Sequence, residues 1–338
     1  MTVRWGIAGT GGIAEAMAAD LARVSDAELV AIGSRRPETA RAFAEAVGRD
    51  GLQGTHGEAR AHDYAGLVAD DGVDAIYVAT PHPQHRDLAL ACLRAGRAVL
   101  VEKAFTATLA GAEEVVRTAR ETGTFCMEAM WTRFVPAVVR ARQLVADGAI
   151  GTVRTVQADL GAYRTYDPTS RLFDPALGGG ATLDLGVYVV SIAQHFLGDP
   201  DRVHAAGTTY PNGTDASVGI LLGYDDGRSA TLTCSLEAAS PARAVLLGDA
   251  GSIELMPRFH HPERLVLRRN GHPPEEIREP VRGAGYLHEV EEVHRCLAGG
   301  LAESEVMPLR DTLGVQRVLQ EVLDQLGCPV AEGAVPGL

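Results

Sequence analysis

Lys103, Asp184 and Tyr188 are the residues of this chain whose types and neighbours suit proton transfer. Lys103 closes the run Ala98-Val99-Leu100-Val101-Glu102, whose apolar part reads as a short buried strand. A lysine at the carboxyl end of a parallel strand stands where open α/β sheets bind their ligands. Partial desolvation there tunes its proton affinity for acid–base work. A surface ion pair with Glu102 would give the same letters, so the motif depends on its surroundings. Asp184 and Tyr188 lie four residues apart in the apolar stretch 181–197, where a helix would stack them one turn apart. Leu185, Val189, Ile192 and Phe196 fill a neighbouring, core-facing stripe of that helix. A carboxylate and a phenol on one stripe suit contacts to substrate hydroxyls, although an ordinary polar face with a half-buried Tyr188 shows the same spacing.

The elements that must position these groups begin at the N-terminus. Val3 to Ala8 reads as a strand, and Gly9-Thr10-Gly11-Gly12-Ile13-Ala14 follows, matching GxGxxA and opening a helix with Ile13, Met17 and Leu21 in register. Strand, glycine turn and helix are the context of a dinucleotide-binding fingerprint. Gly9 permits the turn, Gly11 a close backbone approach to a pyrophosphate, and the helix N-terminus presents N–H groups to it. The second strand ends in Ser34-Arg35-Arg36, where an NAD site carries an acidic ribose acceptor. A hydroxyl and two guanidinium groups suit a 2′-phosphate, which favours NADP over NAD. A later strand, 74–79, ends in Thr80-Pro81-His82-Pro83-Gln84-His85, a proline-fixed turn expected to wall a nucleotide cleft. No Cys or carboxylate cluster joins His82 and His85, so no metal is expected.

Strand–helix alternation to about residue 146 predicts a doubly wound parallel sheet. Beyond Gly151 strand-like runs dominate, at 153–160, 203–209, 217–224, 229–236, 244–247 and 265–267, with a hairpin signal at Asp225-Asp226-Gly227. The fold class is therefore α/β: an N-terminal Rossmann-type doubly wound sheet over 1–127, then an α+β domain over 128–338 on an open, mostly antiparallel sheet. Part of the last helix is expected to pack back on the first domain. The Pro/Gly-rich tail from Gly327 is expected to be loose. A net charge of −13 argues against nucleic acid and anionic membranes. No run of 18 apolar residues suggests a membrane span. The five dispersed cysteines fit reduced thiols and a cytoplasmic location.

Together these motifs resemble the glucose–fructose oxidoreductase / inositol dehydrogenase family across almost the whole chain. The carriers are Gly9-x-Gly11-x-x-Ala14, Thr80-Pro81-x-x-x-His85, Glu102-Lys103, Gly148-x-Ile150-Gly151, Gly178-Gly179-Gly180 with Asp184, and Leu309-Arg310-Asp311-Thr312. The stretch Glu128-Ala129-Met130-Trp131-Thr132-Arg133-Phe134 and the pair Asp184, Tyr188 resemble its dihydrodiol dehydrogenase branch, which includes NADP-dependent D-xylose dehydrogenases. The resemblance implies hydride transfer between a nicotinamide and a secondary carbinol of a sugar, polyol or cyclic diol, and a homodimer or homotetramer joined through the second sheet. It matches Lys103 to the catalytic lysine, Asp184 to the active-site carboxylate, and Trp131 and Arg133 to positions near the nicotinamide. Tyr188 stands where many sugar and inositol members carry histidine. Ala104 replaces the usual proline, which predicts a less rigidly held lysine backbone.

The expected activity is thus an NADP-dependent oxidoreductase, with Lys103 and Tyr188 as proton carriers and Asp184 orienting substrate or tuning Lys103. Its cofactor residues are Gly9 to Ile13, Ser34 to Arg36, Thr80 to His82, His85, Glu102, Lys103, Trp131 and Arg133. An NAD-dependent inositol or hexose dehydrogenase is the first alternative, disfavoured by Ser34-Arg35-Arg36 and Tyr188. A cofactor-binding regulator without turnover is the second, disfavoured by the joint presence of Lys103, Asp184 and Tyr188.

Overall fold

A computed structural model describes residues 2–49 and 58–338, which divide into two compact units. Among the described residues unit 1 holds six strands, β1 (Val3–Ala8), β2 (Ala27–Gly33), β3 (Arg60–His62), β4 (Ala75–Val78), β5 (Ala98–Glu102) and β6 (Cys126–Ala129). They form one all-parallel sheet in the order β3-β2-β1-β4-β5-β6. Every residue of β4, β5 and β6 is buried, as expected of strands covered on both faces. Helices α1 (Gly12–Leu21), α2 (Pro37–Arg49), α3 (Tyr64–Ala69), α4 (His85–Arg94) and α5 (Leu109–Thr122) connect them. Asp63 and Thr108 cap α3 and α5, accepting from the Gly66 and Gly111 amides at 2.7 and 3.0 Å. Strand order reverses between β1 and β4, the point at which a doubly wound sheet leaves a crevice for ligand.

Unit 2 opens at Thr132 and contains α6 (Pro136–Ala146), β7 (Val153–Gly161), α7 (Val187–Leu197), β8 (Arg202–Thr209), β9 (Asp215–Gly223), β10 (Ser229–Ser235), β11 (Ala244–Gly248), β12 (Gly251–Leu255), β13 (Arg264–Arg269) and β14 (Glu275–Arg278). Their order is β14-β13-β12-β11-β7-β10-β9-β8, with β7 and β10 parallel and every other neighbour antiparallel. The hairpin at Asp225-Asp226-Gly227 joins β9 to β10, with Gly227 at φ +85°. Ala230, Leu232 and Cys234 turn inward, where α7 packs on β7 and β10. Thr231, Thr233 and Gln157 turn outward, and Leu221 on the same face is 46% exposed. The stretch Pro175–Leu197 is long and apolar enough to cross a membrane by composition, but 78% of its most apolar window is buried inside the protein. It is the core helix of this unit.

The chain divides more than once. Arg282–Thr312 and Glu332–Leu338 belong to unit 1, while Leu313–Ala331 belongs to unit 2. The first boundary lies at Trp131, four residues beyond the expected one. Helix α8 (Leu287–Ala298) is tied into unit 1 by Asp20 of α1, whose carboxylate accepts the Ala284, Tyr286 and Leu287 amides. Trp5 of β1 donates its indole N–H to His294 at 3.0 Å on the same helix. The last helix, α9 (Leu309–Leu326), holds β8 in unit 2 through Gln325, which bonds the Val203 carbonyl and the Ala205 amide. The tail is ordered rather than loose. Glu332 accepts from both the amide and hydroxyl of Thr108, the Gly333 amide donates to Pro83, and Val335 is buried. These partners lie far back in the chain, so composition alone could not reveal them.

Candidate active site

In unit 1 the expected cofactor residues collect at the carboxyl ends of the strands. Gly9 has φ +127°, and a Cβ there would lie 2.5 Å from the Ala79 carbonyl oxygen, so only glycine fits. Gly11 and Gly12 face open space instead, with nothing within 4 Å of a Cβ. Gly11 occupies the N-cap of α1 and no side chain among the described residues caps that helix, which leaves its first N–H groups directed outward. Ala14 is fully buried against the sheet. An uncapped helix end behind two exposed glycines is a cradle that suits a pyrophosphate. At the end of β2, Ser34 is buried and its amide donates to His62, whereas Arg35 and Arg36 extend into solvent. No acidic side chain occupies Ser34 to Arg36.

The turn after β4 is built differently from expectation. Thr80 and Pro81 are partly exposed, but His82 and His85 are buried, with their rings edge to face at 5.7 Å. The His85 ring spans two carbonyls, Nε2 at 2.7 Å from Thr80 and Nδ1 at 3.0 Å from Ala104. Which nitrogen donates depends on the tautomer, but the ring fastens the β4 turn to the segment after Lys103. His85 thus has a structural contact to the segment after Lys103, and His82 packs on its ring. The same contact reaches Ala104. Although proline is absent, Ala104 is buried and its carbonyl is held. The Lys103–Ala104 peptide is cis.

Glu102 is likewise buried and structural. One carboxylate oxygen receives the Tyr77 hydroxyl, and the other receives the Lys103 amide at 3.1 Å. Lys103 itself is partly exposed at the end of β5. Trp131 follows β6 and stacks on Tyr286 at 4.6 Å, which fixes its indole plane. Glu289 of α8 is fully buried near Glu102, Glu128 and Asp20, and burial followed by those carboxylates holds its acid well above the usual range. Tyr77, Tyr286 and Glu289 carried no local motif and were not anticipated.

In unit 2, Gly178-Gly179-Gly180 shapes the start of the helix that carries Asp184 and Tyr188. Gly180 has φ +117° and lies against the Asp215 carboxylate, which caps the helix by accepting the Thr182 amide. Asp215 is buried, and burial outweighs its backbone hydrogen bonds to raise its proton affinity. The helix opens with a π turn over Thr182–Gly186, a wider coil that often marks functional positions, before α7 begins. Asp184 sits in that turn, partly exposed, and pairs with Arg171 at 3.4 Å. Tyr188 is 8% exposed, more deeply set than a half-buried polar stripe would allow, and its ring meets that of His260 at 5.2 Å. Arg133 is 1% exposed, and its guanidinium donates to Ser191 and Gln194 of α7. Arg171 and His260 are the site neighbours that sequence spacing did not suggest.

Comparison with known proteins agrees with this fold. Residues 3–130 match the model of an oxidoreductase family with an NAD-binding Rossmann fold, and residues 138–254 match the GFO/IDH/MocA C-terminal domain. Trans-1,2-dihydrobenzene-1,2-diol dehydrogenase of Homo sapiens is 33% identical over 338 residues, covering 97% of this chain and 98% of that protein. Its Xenopus tropicalis counterpart is 34% identical over 339 residues, covering 97% and 99%. A 3-ketoreductase from Actinomadura kijaniata, solved with NADP and TDP-benzene, is 25% identical with a TM-score of 0.81, covering 96% and 98%. An aldose–aldose oxidoreductase from Caulobacter crescentus, 24% identical over 97% and 98%, shares the fold at a TM-score of 0.84. The class so defined is a nicotinamide-dependent oxidoreductase acting on hydroxyl donors. Within it, the chain belongs to the GFO/IDH/MocA family.

Proposed function

We propose that the chain is an NADP-dependent dehydrogenase for a secondary alcohol of a sugar or cyclic diol, of the D-xylose or trans-dihydrodiol type. The observation that carries this reading is Lys103, partly exposed at the end of β5 on a backbone held by buried Glu102. The named activity of the dihydrodiol relatives supports the substrate class. Gly9 to Ile13 and the N-terminus of α1 would hold the pyrophosphate, and Ser34, Arg35 and Arg36 the 2′-phosphate. Thr80, Pro81 and Trp131 would line the nicotinamide. When bound, the cofactor supplies the hydride acceptor or donor.

The protein supplies proton transfer and orientation. Lys103 Nζ or Tyr188 Oη takes the hydroxyl proton during oxidation and returns it during reduction. Asp184, with Arg171 beside it, orients substrate hydroxyls. His82, His85, Glu102 and Arg133 hold these parts in place. The test is a spectrophotometric screen of aldoses, inositols and trans-dihydrodiols with NADP and NAD side by side. Turnover with NADP supports the proposal; NADPH binding without turnover across the panel favours the regulator and contradicts it.

We also propose self-association through the outer face of the unit 2 sheet and a cytoplasmic location. That face carries a shallow cavity of about 840 Å³ lined by Gln157, Leu221, Thr231 and Val245. Its exposed Leu221 and threonine rows suit a second copy. The cytoplasmic reading rests on five cysteines that are all unpaired and buried. Light scattering at micromolar concentration tests the assembly, and a mass near the 35.7 kDa of one chain would contradict it.

A further inference from the structure

We propose that His260 is a positioning residue for Tyr188, presented by a pinned turn between β12 and β13. This inference rests on the reading of Tyr188 as a group that handles the substrate proton. The Tyr188 and His260 ring centroids lie 5.2 Å apart at 41°, within contact range for two rings. The imidazole also meets the rings of its chain neighbours, Phe259 at 5.9 Å and His261 at 5.0 Å.

The turn that carries His260 is fastened on both sides of it. Phe259 is fully buried, and its amide donates to Ala242 at 3.0 Å. The His261 amide donates to the Arg258 carbonyl at 2.8 Å. The His260 carbonyl accepts the Thr132 hydroxyl at 2.7 Å. Arg258 and Ala242 both adopt left-handed backbone, φ +68° and +55°, which non-glycine residues rarely do. Such conformations are unfavourable on their own and persist where surrounding contacts impose them. Here they aim one imidazole at one phenol. A proton carrier must keep its hydroxyl in place through the reaction, and small displacements are costly: a shift of about 1 Å can cost 10²-fold in rate. The ring of His260 limits how far the Tyr188 ring can tilt. Thr132, in the stretch Trp131-Thr132-Arg133, gains a role in the same device.

The test is a cycle of His260→Ala and His260→Phe in the parent and in the Tyr188→Phe background, reading kcat and the KM for NADP. His260→Ala in the parent is expected to lower kcat about tenfold with KM for NADP unchanged. His260→Phe, which keeps a ring against Tyr188, should recover most of that loss. In the Tyr188→Phe background, His260→Ala should cost less than about twofold, because groups acting as a unit are not additive. Equal losses in both backgrounds, or an unchanged kcat in the parent, would overturn the proposal while leaving Tyr188 its role. A Tyr188→Phe variant with unchanged kcat and KM would instead remove the reading on which the proposal stands. Thr132→Val deletes only the hydroxyl that holds the turn and gives a second reading should His260→Ala fail to fold. Its kcat should fall in the parent and not in the Tyr188→Phe background, and an equal fall in both would count against the proposal.

Discussion

The Tyr77 hydroxyl on β4 donates to Glu102 on β5, and the opposite oxygen of that carboxylate holds the Lys103 amide. A phenol on one strand thereby sets the backbone of the candidate catalytic lysine on the next. Both side chains are buried, so neither oxygen can turn to bulk water for a replacement partner.

Tyr77→Phe keeps the ring and deletes that donor. A hydrogen bond to a buried charged group contributes about 1.5–3 kcal/mol. Urea denaturation should show a loss of that order with an unchanged m-value. A loss below about 0.5 kcal/mol would mean that Glu102 is held by other contacts.

Glu289 gives a pH-dependent prediction. It is fully buried, and neither carboxyl oxygen has a hydrogen-bond partner among the described residues. Burial and the nearby Glu102, Asp20 and Glu128 raise its folded-state proton affinity well above that of the unfolded chain. The folded protein therefore binds more protons between the two pKa values, and stability falls as pH rises above the unfolded value of about 4.3. Glu289→Gln removes this titration. The variant should gain stability relative to the parent at neutral pH, and the gain should shrink toward pH 4. Thermal melts at both pH values check the sign; a gain that does not change with pH would contradict it.

Much of unit 1 was legible because its signals are local. The turn from Gly9 to Ala14 depends on φ and Cβ clearance that glycine spacing encodes directly. Other features depend on contacts between distant residues. Asp20 of α1 organises the start of α8 across 264 positions or more, so neither that contact nor the return of α8 to unit 1 shows in any window. Strands β3, β12 and β14 were missed: Arg60–His62 is three residues long, Glu275–Arg278 is mostly charged, and Gly251–Leu255 buries only Ile253 and Leu255, too short an alternation behind a glycine. The π turn beneath Asp184 was read as plain α-helix, since the apolar periodicity is nearly the same. The family resemblance places Arg133 near the nicotinamide, and the prolines and strand-end position make the turn holding His82 and His85 a cleft wall. Their burial depends on partners such as Gln194 and the Ala104 carbonyl.

The glycine turn separates fold from binding. Gly9→Ala would press a Cβ against the Ala79 carbonyl at a left-handed φ and should lower stability by roughly 1–3 kcal/mol. Gly11→Ala meets no neighbour in the protein. Its stability should fall by no more than about 1 kcal/mol, the difference between glycine and alanine at an N-cap, while NADPH affinity by fluorescence falls about tenfold. Equal stability losses in the two variants would contradict this division.

Ser34→Asp places a ribose acceptor at the end of β2 and repels a 2′-phosphate. Loss of one charge-assisted contact of about 1.5–3 kcal/mol corresponds to roughly tenfold or more in discrimination. The parent should prefer NADP by at least that factor in kcat/KM, and the variant should prefer NAD. Equal kcat/KM for the two cofactors in the parent would refute the cofactor assignment.

The most direct measurement is steady-state turnover of Lys103→Met with the best substrate of the screen, alongside NADPH binding by fluorescence. Lys103 lies on the β5 end, apart from the glycine turn that would hold the pyrophosphate. The account predicts a kcat lower by about 10²-fold or more, the scale of a lost general acid–base, with NADPH affinity within about twofold of the parent. A kcat within about twofold of the parent would contradict it, because Lys103 would then be an ordinary residue at a strand end.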